Sequence, residues 1–127
     1  MQSAPFNINL LNFRINASLT NLLIEQLEMK TVSVVRMKPK PEFYDEFVAD
    51  CRERAKWWRE KSPQMLKRYV ACSDDEVIEI SIMDDVDFVI EKQESGLRWL
   101  DERRHMLVEY NTEDRHTLPI SGLIIDE

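Results

Sequence analysis

A guanidinium on an apolar helix stripe has to be matched by an anion, and Arg103 raises that question first. Read as a helix at about 100° per residue, the segment from Leu97 to Tyr110 sets Arg103 near the centre of its stripe. Trp99, Met106 and Tyr110 lie on one side of it, and Gly96, Leu100 and Leu107 on the other. Burying such a charge unpaired is costly, so Arg103 is expected to find a carboxylate, to reach solvent along its stem, or to meet an acidic ligand. Glu79 is the candidate carboxylate, because it lies on the mixed face of a strand. Structural pairing is the first reading of Arg103, and ligand binding the second.

The aromatic residues define a second group. Trp58 falls on the apolar face of an earlier helix, Trp57 toward its edge, and Trp99 beside Arg103. Such rings can wall a pocket for a flat ligand, although aromatics at helical spacing more often fill cores. Tyr69 adds a hydroxyl that could contact a polar substituent. The histidines carry little: His105 and His116 belong to no zinc-helix or triad pattern, and both are expected to face solvent. Cys51 and Cys72 lack redox or metal spacing and read as reduced core thiols, with a disulfide as the alternative. Gly96 and Gly122 open no phosphate-cradling loop, and the Asp74-Asp75-Glu76 and Asp84-Asp85 runs lack calcium-loop spacing. No metal and no cofactor is expected.

Whole-chain properties narrow the partners. The 127 residues suit one domain, and 43% apolar composition supports a core. Seventeen basic against 24 acidic side chains leave a formal charge of −7, which disfavours nucleic acid and anionic membrane as partners. The sequence has neither a run long enough to span a bilayer nor a secretory signal pattern, so a cytoplasmic location is the expectation.

The elements that must position these residues follow from periodicity. Residues 1–30 read as an arm, with Ser18 capping a short helix through Leu22 to Leu27; alternatively the natural chain starts at Met29. Residues 31–127 read as one domain. A strand over Thr31 to Lys38 ends at Pro39-Lys40-Pro41, and a helix over Glu42 to Lys61 buries Phe43, Tyr44, Phe47, Cys51, Ala55 and Trp58. Strands over Met65 to Cys72 and Glu76 to Met83 are joined too tightly for anything but a hairpin. In the second, Ile78, Ile80 and Ile82 form a core face, opposite a mixed face of Val77, Glu79, Ser81 and Met83. A short helix from Val86 to Lys92, a bend near Ser95-Gly96, a longer helix from Leu97 to Tyr110, a polar loop and a strand over Thr117 to Ile125 complete the chain.

The order βαββαβ predicts an α+β, ferredoxin-like plait whose two helices cover one face of an antiparallel sheet. Strands apolar on both faces call for a second layer, and a homodimer supplies it. The strand Val32 to Met37, the helix from Phe43 to Trp58, the hairpin and the helix ending in Arg98-Trp99-Leu100-Asp101-Glu102-Arg103-Arg104 resemble the dimeric α+β barrel superfamily, including antibiotic-biosynthesis monooxygenase-like proteins. The resemblance covers about residues 31 to 125. It implies a cofactor-independent monooxygenase acting on an aromatic or quinone-like molecule, with function sought at the centre of the shared barrel. Trp58 or Trp99 would orient the ring and Tyr69 or Arg103 would contact its polar oxygen substituents, with Glu79 as a further substrate-binding residue. The haem-degrading branch fits poorly, because the first strand holds no Asn. The rival reading is a noncatalytic ligand-binding or assembly protein in which the same residues serve core and interface.

Overall fold

The computed structural model describes residues 29–127, so the expected arm and its short helix lie outside the described residues. Strand β1 (Thr31–Met37) is rich in β-branched residues and stops before Pro39. A single 3-10 turn at Pro41–Phe43 leads into helix α1 (Tyr44–Lys61). Asp45 and Glu46 in the first turn and Arg59 and Lys61 in the last complement the helix dipole. Strands β2 (Met65–Ser73) and β3 (Glu76–Met83) form the predicted hairpin, with Asp74 at φ 53° in a left-handed conformation that Asp tolerates better than most residues. Helix α2 (Val86–Asp101) is capped by Asp85, whose carboxylate accepts from the Phe88 N–H at 2.8 Å. Strand β4 (Leu118–Leu123) closes the domain.

The sheet order is β2-β3-β1-β4 with every neighbouring pair antiparallel. This is the ferredoxin-like plait that the element order predicts. Among the described residues no helix is long and apolar enough to cross a membrane.

Helix α2 departs from expectation at both predicted irregularities. It runs unbroken through Ser95 and Gly96, and it ends at Asp101 instead of continuing to Tyr110. A 3-10 turn at Arg104–Met106 follows, and the chain then pairs with the segment after β1. The Lys40 N–H donates to the Met106 carbonyl at 2.8 Å, and the Val108 N–H to the Lys38 carbonyl at 2.8 Å. Those bonds satisfy backbone groups that a longer helix would have satisfied internally, so tertiary pairing ends the helix without a Gly or Pro stop.

Strand register sorts the side chains into two faces. Tyr69, Ile80, Val34 and Ile120 form one cross-strand row, with Lys67, Ile82, Val32 and Gly122 on one side of it and Ala71, Ile78, Arg36 and Leu118 on the other. On the other face Val70, Glu79, Val35 and Pro119 align, and Arg68, Ser81, Ser33 and Ser121 beside them. Val77 and Met37 pack there with Phe47 and Cys51 of α1, and Met83 with Val86 and Val89 of α2. The mixed face is therefore the one covered by helices, whereas the isoleucine row, expected as core, turns away from them. Tyr69 and Ile120 on that open face are 52% and 69% exposed.

Candidate functional site

Between α2 and the mixed sheet face lies a cavity of about 80 Å³, open on one side. Val35, Met37, Met83, Val89, Leu97 and Leu100 give it apolar walls, and Trp99 supplies an aromatic one. Its floor is charged. Arg54 reaches in from α1, and one of its terminal nitrogens donates to Glu79 Oε1 at 2.6 Å. Arg68 of β2 donates to Glu79 Oε2 at 2.6 Å and to Ser81 Oγ at 2.8 Å.

Glu79 and Arg68 are each under 4% exposed, so this is a buried ion triad and not a surface bridge. Burial opposes ionisation of Glu79, but Arg54, Arg68 and Lys92 overcome it and hold the carboxyl below its usual range. Arg54 is shifted down by burial and by Arg68. One carboxylate serves two guanidiniums, and the Nε–H groups of Arg54 and Arg68 are buried without an acceptor among the described residues. The floor thus keeps an excess of positive charge and spare donors.

Lys92 completes the pocket. It lies on the stripe Val89, Lys92, Gln93, Gly96 and Leu100 of α2, all of which line the cavity. Burial first, then the nearby Arg68 and Arg54, push its amine down to about 7.

The expected site residues are divided by this arrangement. Glu79 and Trp99 line the cavity together. Arg103 lies behind Trp99: its guanidinium carbon sits 4.4 Å from the ring centre, while that of Arg54 sits 3.9 Å from it. The carboxylate partner of Arg103 is Asp50 at 3.0 Å and not Glu79, because Arg103 falls beyond the end of α2 and turns toward α1. Trp58 does not line the cavity: it packs on the cluster of Met83, Val86, Phe88 and Val89, stacks edge-on against Phe88 with ring centres 5.8 Å apart, and has the Lys92 nitrogen 5.7 Å from its ring centre. Tyr69 is on the opposite face of the sheet and does not reach the cavity.

Two further expectations need correction. His116 is buried, and its Nδ1 accepts from Arg104 at 3.2 Å. Burial, Arg104 and Arg115 lower its pKa. Cys72 is exposed instead of in the core, and both thiols are free.

Arg54, Arg68 and Lys92 were not among the expected site residues. Arg54 and Lys92 interrupt apolar helix stripes, the same signal that singled out Arg103. Arg68 sits opposite Ser81 in the regular register that runs from the hairpin turn, on the same face as Glu79, so its signal was that cross-strand pairing; the β-bulge between Met65 and Lys67 turns Met65 to the same face. Among the described residues no group of His, Cys, Asp and Glu could hold a metal ion.

No protein-family model and no curated protein matches the sequence. Solved structures do match. A proposed antibiotic biosynthesis monooxygenase from Bacteroides thetaiotaomicron aligns over 79% of this chain and 93% of its own, with TM-score 0.61 at 15% identity. One from Chloroflexus aurantiacus covers 77% of this chain and 95% of its own, with TM-score 0.56 at 13% identity. SnoaB, a cofactor-independent oxygenase from Streptomyces nogalater, has TM-score 0.55 at 10% identity over 77% of this chain and 95% of its own. At such identities the likeness is one of fold, and this chain has the βαββαβ fold of the antibiotic biosynthesis monooxygenase-like, dimeric α+β barrel proteins.

Proposed function

We propose that this protein is a cofactor-independent oxygenase for a small hydroxylated aromatic or quinone-like ring. The observation that supports it most is the cavity beside Trp99, whose apolar walls end on the buried Arg54–Glu79–Arg68 floor. An apolar pocket with a few convergent polar groups is the usual form of a small-molecule site. Trp99 and Leu100 would hold the ring, and the spare positive charge of the floor would draw in its oxygen substituent. Without a cofactor, the electrons for oxygen must come from the ring itself, which has to be made electron-rich by losing a proton. The fold of SnoaB lends support to this chemistry.

Cavity size limits the substrate. About 80 Å³ is roughly half the ~150 Å³ void that admits benzene. A single ring needs some rearrangement of the lining, and a fused multi-ring substrate a larger one. The same smallness, with Arg103 engaged by Asp50, favours the second reading, a noncatalytic ligand-binding or assembly protein. In either reading the open row Tyr69, Ile80, Val34 and Ile120 faces a second copy of the chain, which makes the protein a homodimer.

Oxygen uptake separates the two functions. The purified chain, given single-ring hydroxyaromatics, should consume oxygen with no added cofactor, and Trp99→Ala should reduce the rate at least tenfold. Ring binding with no oxygen consumption across the panel would favour the noncatalytic reading and refute the first.

A further inference from the structure

We infer that Lys92 is the proton acceptor of this pocket and that the ligand is a weakly acidic ring hydroxyl, which gives its proton to the Lys92 amine as it binds. This rests on the reading of the cavity as a ring-binding site. Its grounds are the position of Lys92 and the groups it lacks.

A lysine on the surface of a helix normally extends into water or pairs with a carboxylate, as Lys56 does with Glu60. Lys92 instead lines the cavity and forms no ion pair with any described residue. The charged groups that face it are Arg54 of α1, Arg68 of β2 and Glu79 of β3. The carboxylate among them is already shared by both guanidiniums at 2.6 Å, so it offers Lys92 only partial compensation. Trp58 presents a ring on another side. An ammonium here is repelled by two cations and poorly solvated, whereas a neutral amine is free to act as a base. With the amine near 7, close to half of the molecules carry that base at neutral pH.

The proposed step is a single proton transfer. The ring O–H bond breaks, its electron pair stays on oxygen, and the proton becomes the third hydrogen of an ammonium at Nζ. Before the step Arg54, Arg68 and Glu79 sum to +1 beside a neutral amine and a neutral ligand. After it the total is unchanged, but the new anion lies among three cations, which is the arrangement the floor lacks when empty. A free phenol titrates near about 10, so ionising the bound one at neutral pH requires this environment.

The test uses the full chain and 3-hydroxyacetophenone, a single-ring phenol that is mostly neutral in water at about pH 8 and whose ionised form absorbs at longer wavelength than the neutral one. Acetophenone, which has no hydroxyl, reports ring binding through quenching of tryptophan fluorescence. Wild type should bind both, and the bound phenol should ionise at least one pH unit below the free compound, a tenfold shift in its acid constant. At about pH 8, where the Lys92 amine is mostly neutral, binding should produce the phenolate spectrum and release almost no proton, because the proton stays on Lys92. Lys92→Met should still bind acetophenone but show the neutral phenol spectrum. Lys92→Arg, which supplies charge but no base, should give the phenolate spectrum with one proton released per ligand. An unshifted phenolate fraction in Lys92→Met, or stoichiometric proton release by wild type at that pH, overturns the assignment while leaving the ring pocket intact. Failure of wild type to bind even acetophenone overturns the ring pocket and the assignment with it.

Discussion

Replacing Glu79 by Gln removes the carboxylate that holds the floor of the cavity together. Both guanidinium contacts are 2.6 Å long, Arg68 and Glu79 side chains are 2% and 3% exposed, and Arg54 is 17% exposed. Two unit charges about 4 Å apart attract by about 4 kcal/mol at an effective dielectric of 20, so the two pairs together amount to about 8 kcal/mol. The carboxylate's own desolvation offsets several kcal/mol of that. Breaking such a buried pair from one side leaves uncompensated charge and costs about 3–5 kcal/mol, which is the expected loss for Glu79→Gln. Urea unfolding at 25 °C and neutral pH measures it: with a slope of about 2 kcal/mol per molar, the midpoint falls by about 2 M. Glu127→Gln is the control, since its partner Lys30 is exposed and the expected change is below about 1 kcal/mol. The sign of the pH dependence follows from the lowered pKa of Glu79. Its contribution is present above the unfolded value near about 4.3 and is lost as pH falls through the lower folded value. A Glu79→Gln loss of under about 1 kcal/mol refutes the view that the floor is electrostatically locked.

Other changes probe separate parts of the structure. Gly96 is helical and a Cβ built on it meets nothing within 4 Å, so Gly96→Ala should stabilise the fold by about 0.5–1 kcal/mol in the same urea assay. His116 is held neutral by burial and by Arg104, so its contribution is present above the unfolded pKa of about 6.5 and fades as pH falls below it. His116→Gln should flatten that part of the stability profile between about pH 5 and 7. Ile80→Lys, in the middle of the open row, should halve the mass in sedimentation equilibrium while leaving the far-ultraviolet circular dichroism unchanged. A wild-type monomer would remove the dimer from the account.

Periodicity carried the fold a long way because its signals are local. The alternation in β1 and β3, the proline punctuation after β1, the short Asp74-Asp75 turn and the stripe of α1 each depend on near neighbours in sequence. The site was less legible, for reasons that differ by residue. Continuing α2 to Tyr110 was reasonable from side-chain spacing, but backbone pairing of residues 106–108 with residues 38–40 ends it, and that long-range choice moved Arg103 away from Glu79. Apolarity alone points to the wrong face of β3, because the helices cover the mixed face and the isoleucine face turns away from them. The isoleucines looked like the core, yet Glu79 and Ser81 are buried because Arg54 and Arg68 neutralise and bond them. Tyr69 was displaced from the site by the same reversal. Lys92, Arg54 and Arg68 were all legible in principle, the first two as charges on apolar stripes and Arg68 as the residue opposite Ser81 in the regular register of the hairpin.

The proposed site is the single-chain cavity between α2 and the mixed sheet face, and not the open face of the sheet. A crystal structure of the full chain with 3-hydroxyacetophenone separates the two. The expected result is the ring packed against Trp99 and Leu100 with its oxygen within about 3.2 Å of the Lys92 nitrogen, a normal hydrogen-bond reach. A ring bound instead beside Tyr69 and Ile80, with the cavity over Glu79 unchanged, would contradict it.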